Sequence, residues 1–278
     1  MYPSNFDGLK KMKKSKQYYK NLIQKWIEEE KQWSIGIESM ARYLKNNRKR
    51  HKYLVELCKN LNSDKSAKIL DIGRSNLSVL LVKYYSDVTT LGFDLDLDKG
   101  GHREKETINL RHIVFDLNEC KNVEKWIEEK FDLIIYSEVL EHLYEAPEFS
   151  LLFLNYLLNP DGFIICTTPN AASLYRRRKL FFGKNDFEKI RFYKINPGHF
   201  REYTKDELIQ MAKISELKVV KHKYPNFANP FSLKDKIHFL INNFVGFISY
   251  TLDNCAIRIF PSFREYQVLI LVKNENFF

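Results

Sequence analysis

No apolar run in this 278-residue chain reaches the roughly 18–20 residues that a membrane-spanning helix needs. The longest, Phe239–Leu252, is interrupted by Asn242 and Asn243. The first residues, MYPSNFDGLKKMKK, carry positive charge with no apolar stretch behind it, so a secretory signal is not expected. A cytoplasmic location is the expectation, with peripheral contact at the inner membrane face left open. Cysteine is scarce too. Cys58, Cys120, Cys166 and Cys255 lie tens of residues apart, with no CxxC pair and no histidine at ligand spacing. That spacing supports neither a disulfide framework nor a zinc site, and no metal is expected. Free thiols in a reducing compartment fit it. Internal repeats and low-complexity segments are also missing.

Charge is present in excess but is unevenly placed. Residues 1–66 hold 16 Lys and Arg against 7 Asp and Glu, whereas the rest of the chain holds 29 against 28. A uniformly basic nucleic-acid binder would not divide this way. Lys10, Lys11, Lys13, Lys14 and Lys16 cluster first, then Arg48, Lys49, Arg50 and Lys52. The bland account is a solvated helical face; the sharper one is contact with anionic lipid or nucleic acid. Residues 9–31 and 37–62 read as helices, with apolar residues at threes and fours such as Tyr53, Leu54, Leu57 and Leu61. Residues 1–66 are therefore expected to form a basic helical extension, and 67–278 the main domain.

From residue 67 the pattern changes. Short β-branched runs appear as AKILDIG (67–73), DVTTLGFD (87–94), RHIVFD (111–116), FDLIIYS (131–137) and GFIICTT (162–168). Amphipathic stretches separate them near 76–86, 121–130 and 145–158. Buried parallel strands with crossover helices give this alternation, so a doubly wound α/β sheet is expected. A helix starting near Thr204 and strands at 217–224 and 266–273 follow, with an aromatic-rich stretch, 226–264, between the last two.

Ligands of such a sheet bind at the carboxyl ends of its strands, so the strand tips matter most. They are Asp71-Ile72-Gly73, Gly92-Phe93-Asp94, Phe115-Asp116 and Tyr136-Ser137-Glu138. One acid at a strand end is an ordinary turn or cap; three on consecutive strands are harder to dismiss.

With ILDIG, LGFD, Asp116, FDLIIYSEVLEHL and LLNPDGFIICTTPN in that order, the chain resembles the class I S-adenosylmethionine-dependent methyltransferases over about residues 67–223. NPGHFREYTKDELIQMAKISELKVV (196–220) resembles the helix and strand that follow the core in bacterial members acting on small molecules or glycans. The resemblance implies a Rossmann-like, seven-stranded, mostly parallel sheet with an antiparallel last strand, and a helical cap insertion. It implies S-adenosyl-L-methionine as cofactor. Asp71 and Gly73 would line its amino-acid end, Asp94 would hold the ribose hydroxyls, Asp116 would face the adenine amino group, and Tyr136, Ser137 and Glu138 would border the methionine part, with Leu95 and Leu117 as further expected contacts. Carboxylates accept hydrogen bonds from hydroxyls and amines, which agrees. The departure is Arg74-Ser75-Asn76-Leu77, where members usually carry further glycines. Asn76 is expected to tolerate a left-handed conformation or to cap the next helix there. Arg74 is a candidate partner for the cofactor carboxylate.

Methyl transfer needs in-line positioning and removal of the acceptor's proton, for which His142 and His199 are the candidate bases. Arg176, Arg177 and Arg201 are candidate substrate contacts, in a basic region that also holds Arg178, Lys179, Arg191 and Lys194. Arginine forks bind carboxylate and phosphate, so an anionic small-molecule, glycan or lipid-linked acceptor is expected. The phenylalanines of 226–264 suit a cap, or a peripheral membrane contact. An RNA methyltransferase is the catalytic alternative, weakened by the near-neutral core and the lack of an NPPY- or DPPF-type tetrapeptide. An inactive cofactor-fold scaffold is the non-catalytic one.

Overall fold

A computed structural model describes residues 40–94, 109–185, 187, 198–227 and 243–274, with individual helical positions between 16 and 28. Leu95, Arg191, Lys194, the lysines at 10–14 and the cap phenylalanines Phe231 and Phe239 lie outside the described residues.

Seven strands form one sheet in the order β3-β2-β1-β4-β5-β7-β6. These are β1 (Lys68–Ile72), β2 (Asp87–Gly92), β3 (Arg111–Val114), β4 (Phe131–Ser137), β5 (Leu158–Pro169), β6 (Leu217–Lys223) and β7 (Tyr266–Lys273). β1 pairs in parallel with both β2 and β4, so the winding reverses between β1 and β4. That reversal leaves a crevice at the carboxyl ends of the two strands. β7 runs antiparallel to β5 and β6. The expected sheet, including its antiparallel last strand, is the one observed.

Alternation along the strands explains why both faces are covered. Leu70, Ile134, Tyr136 and Ile164 point to one face, with α3 (Pro147–Leu157) and α5 (Lys205–Ile214) over it through Phe153, Leu154, Leu208 and Met211. Ile69, Leu133, Ile135 and Ile165 point to the other. There α1 (Met40–Leu61) and α2 (Asn76–Leu81) contribute Leu54, Cys58, Leu77 and Leu81. Leu54 and Cys58 are four residues apart, one turn of a single helical face, and both are fully buried. Thus α1, on the basic N-terminal side, is built into the core. Thr204 caps α5 in a reciprocal box with Glu207, as its position in the sequence suggests.

One expected helix is absent. Over 121–130 there is only a 3-10 turn, Val123–Lys125, after which Trp126 is extended. The Trp126 indole N–H donates to the Cys120 carbonyl at 2.9 Å and its ring packs on Phe153 and Tyr156. Anchoring this one large side chain fixes an extended crossover in place of a helix.

Candidate active site

The β1 tip turns at Gly73, whose φ of +82° is a conformation that side-chain-bearing residues rarely adopt. Its N–H donates to Leu91 O at 2.8 Å, which ties the turn to β2. Beyond it the glycine-poor loop needs no second left-handed residue. Among the described non-glycine residues, only Glu138 and Glu216 have positive φ. Ser75, extended at φ −150°, caps α2 and exchanges hydrogen bonds with Ser78. Ser75 therefore takes the capping role expected of Asn76. Arg74 is nearly buried.

Four of the expected cofactor contacts have side chains committed elsewhere. The Asp71 carboxylate accepts from Ser78 Oγ at 2.6 Å, and burial pushes its pKa up to about 7. Leu117 packs in the core. The Tyr136 hydroxyl meets Ser150 Oγ at 3.0 Å beneath the sheet surface, because β4 alternation turns this residue inward. Asp116 caps a 3-10 turn through Asn118 N–H at 2.9 Å. Asp94 stands two residues past β2, near His112, whose pKa burial lowers.

The β4 tip opens onto a cavity of about 450 Å³. Glu138 sits there at φ 56°, a left-handed conformation costing about 1–2 kcal/mol for a non-glycine residue. Three contacts hold it. Its N–H donates to Thr167 O at 2.9 Å, its carboxylate accepts from Thr167 Oγ1 at 2.9 Å, and Arg50 of α1 pairs with it at 2.7 Å. Three residues on, Glu141 is fully buried and accepts from Thr168 Oγ1 at 3.1 Å. Burial, then the neighbouring Glu138, push its pKa well above the usual carboxylate range.

The loop at 198–202 closes the cavity. Phe200 N–H donates to Glu141 O at 2.8 Å, and His142 Nδ1 lies 2.8 Å from Gly198 O. His199 Nδ1 lies 2.7 Å from a Glu202 oxygen, and Arg176 of α4 (Leu174–Phe181) pairs with the same oxygen. The two histidine rings meet edge to face, centroids 4.8 Å apart. A carbonyl and a carboxylate can only accept from these nitrogens, so Nδ1 carries a proton on each ring, and in the neutral form of either ring Nε2 carries the lone pair.

The model of a family described as a methyltransferase domain matches residues 40–222, from within α1 to within β6. The chain belongs to this family, the S-adenosylmethionine-dependent methyltransferases. Among solved structures it is similar to an S-adenosylmethionine-dependent methyltransferase from Clostridium acetobutylicum, with 13% identity over 92% of this chain and 98% of that one, TM-score 0.51. It is also similar to one from Archaeoglobus fulgidus, with 16% identity over 83% and 99%, TM-score 0.50. At such identities the likeness shows the fold. No curated protein matches the sequence.

In this methyltransferase the two candidate bases, His142 and His199, come together although 57 positions separate them. The candidate arginines do not. Arg176 faces the cavity. Arg177 instead donates to Ala172 O at 2.6 Å and lies over the Phe263 ring. Arg201 pairs with Glu207 at 2.5 Å, mostly in solvent. The expected arginine fork is thus dispersed, because each guanidinium finds its own local acceptor. Arg50, Glu141, Glu202 and Tyr266 also line the cavity, and sequence reading singled out none of them for the site. For Glu202 a signal existed: it lies three residues after His199, within reach of the same ring. Among the described residues, no helix is long and apolar enough to cross a membrane.

Proposed function

We propose that this methyltransferase transfers the methyl group of S-adenosylmethionine to a hydroxyl or amine of a polar acceptor, such as a glycan, seated in the cavity beside β4. The observation that carries this reading is the convergence of His142, His199 and Glu141 at that cavity, next to the strand ends where the cofactor belongs. When bound, the cofactor supplies a methyl group on a sulfonium. Gly73 gives it the close backbone approach, and its left-handed turn is the observation that fits the cofactor. Arg74 supplies a positive charge for its carboxylate, Asp94 accepts from its ribose hydroxyls, and the backbone of Asp116 and Leu117 borders its adenine. Backbone of 136–138 flanks the methionine part. His142 and His199 activate the acceptor, while Tyr175 and Arg176 wall its seat.

Charge balance supports a neutral or cationic acceptor over an anionic one. Of the cavity's two arginines, Arg50 is answered by Glu138 and Arg176 by Glu202, while Glu265 adds a further acid. A lipid-linked acceptor is favoured by one separate feature. Leu180, Phe181 and Phe182 at the end of α4, and Leu252 and Ile259 on α6 (Phe244–Ile259), are exposed, and Arg178–Asp253 joins the two helices.

Calorimetric titration with S-adenosylmethionine and S-adenosylhomocysteine tests the cofactor half. Wild type should bind both, and Asp94→Ala should abolish or greatly weaken binding. No binding by wild type would replace this reading with a scaffold. Transfer assays then compare neutral and anionic glycans, free and lipid-linked in vesicles. A clear preference for anionic acceptors would contradict the charge argument.

A further inference from the structure

We infer that Glu141, His142 and His199 form a binding site for one divalent first-row cation. One ligand atom from each lies within 4.8 Å of the others. Metal–ligand bonds of about 2.0–2.2 Å set neighbouring ligands roughly 3–3.5 Å apart, so closure by at most about 2 Å completes the site. His199 sits on a partly exposed loop that can make this shift.

Three independent features point the cluster at a cation. First, Glu141 is fully buried, yet its Oε1 has no hydrogen-bond partner among the described residues. A buried carboxylate oxygen left unanswered is costly, and a cation answers it. Second, each ligand is already oriented from behind. Thr168 Oγ1 holds the other Glu141 oxygen, Gly198 O holds His142 Nδ1, and Glu202 holds His199 Nδ1. Outer partners of this kind fix the tautomer and present Nε2 to a metal. Third, no cation of the cavity is left over to compete: Arg50 is answered by Glu138 and Arg176 by Glu202, which leaves Glu265 as a further acid at the same cavity. Two imidazoles and one carboxylate leave coordination positions open toward the cavity, where a water or an acceptor oxygen can enter.

The cation's use rests on the methyl-transfer reading: it would hold the acceptor hydroxyl and ease loss of its proton. Its presence does not. The open positions favour a hydroxyl acceptor over an amine that is protonated at neutral pH.

The test strips the purified chain with a chelator and titrates it with Zn²⁺, Mn²⁺ or Mg²⁺ alone. Calorimetry gives affinity, and elemental analysis after gel filtration gives stoichiometry. Wild type should bind one equivalent of at least one of the three ions. His199→Ala and Glu141→Gln should each weaken binding by about 100-fold or more, and Glu202→Ala by about 10–100-fold. S-adenosylhomocysteine titration of every variant is the control for folding. If the Glu141 variant fails to fold, His199→Ala decides, since that side chain is only partly buried. Substoichiometric binding by wild type, or unchanged affinity in the ligand variants, would overturn the site. Cation binding without cofactor binding would instead sink the methyl-transfer reading and leave the site standing.

Discussion

Replacing Arg50 with Met isolates the contact that joins the N-terminal helix to the β4 tip. Arg50 and Glu138 lie 2.7 Å apart, with only 10% and 15% of their side chains exposed, so water screens the pair poorly. An exposed pair would contribute about 0–1 kcal/mol. Removing one partner of a buried pair costs about 3–5 kcal/mol, because the remaining charge is stranded. After the substitution Glu138 keeps the neutral Thr167 hydroxyl and its own backbone bond. It also keeps its left-handed φ, a strain of about 1–2 kcal/mol that the pair helps to hold in place. Met preserves most of the apolar stem, so cavity formation is a minor term. Against a total stability of about 5–15 kcal/mol, the loss is large. In urea unfolding followed by circular dichroism, the midpoint should fall by about 1 M or more, given slopes of about 1–3 kcal/mol per molar. Arg50→Met combined with Glu138→Gln removes the stranded charge and should recover more than half of the loss. A single variant within about 1 kcal/mol of wild type, at unchanged slope, would refute the reasoning and mean that water reaches Glu138.

Two further outcomes are expected. Burial raises the Asp71 pKa to about 7, so the folded chain binds that proton more tightly than the unfolded one. Stability from this group is therefore lost as pH rises from about 4 to about 7, and Glu141 adds a slope of the same sign. His51, lowered to about 4 by burial and then by Arg50, acts oppositely, losing stability as pH falls below about 6.5. Asp71→Asn keeps an acceptor for Ser78 and should gain stability over wild type at pH 7.5 but not at pH 4; parallel curves would exclude it. Separately, a thiol reagent at neutral pH should label Cys255 quickly and Cys58, Cys120 and Cys166 only after unfolding. Burial pushes the Cys120 thiol up to about 12 and the other two up as well. Two or more fast thiols in the native protein would mean that one of the three buried sites opens.

The sheet was legible because its signal is local. The inner strands β1, β2, β4 and β7 are runs of β-branched and apolar residues buried on both faces, and Thr204–Glu207 announces a helix start within four positions. The crossover at 121–130 misled for the complementary reason: its helix formers are overruled by one tryptophan whose partners, Phe153 and Tyr156, lie about 30 positions away. The arginines misled in the same way. Arg176, Arg177 and Arg178 are consecutive in sequence but end at Glu202, Ala172 and Asp253. Charge counts cannot show this, since a count records how many cations a segment holds and not which acceptor each one reaches. The excess of positive charge in residues 1–66 likewise hid Arg50 and His51, which are both buried. For the cavity, the tips of β4 and β5 were readable, but the pairing of Glu141 with His199 depends on the 198–202 loop folding back onto Glu141 O.

That fold-back bears on how the cavity is assembled. A left-handed glutamate at the end of β4 is unfavourable on its own and persists only where its surroundings over-determine it. Here β5 supplies the hydroxyl and carbonyl of Thr167, and α1 supplies Arg50. The next turn of the chain places Glu141 and His142, onto whose carbonyl and ring the 198–202 loop docks, while Arg176 of α4 holds its Glu202. The order of dependence is therefore α1 and β5 first, the β4 tip second, and the histidine pair last. Asn47 and Arg50 stand in the cavity wall itself, and the family match begins within α1 at residue 40. The second half of the basic N-terminal segment thus contributes to the wall of the candidate site. Arg48, Lys49 and Lys52 of the same helix are exposed, so its outer face still offers positive charge to solvent.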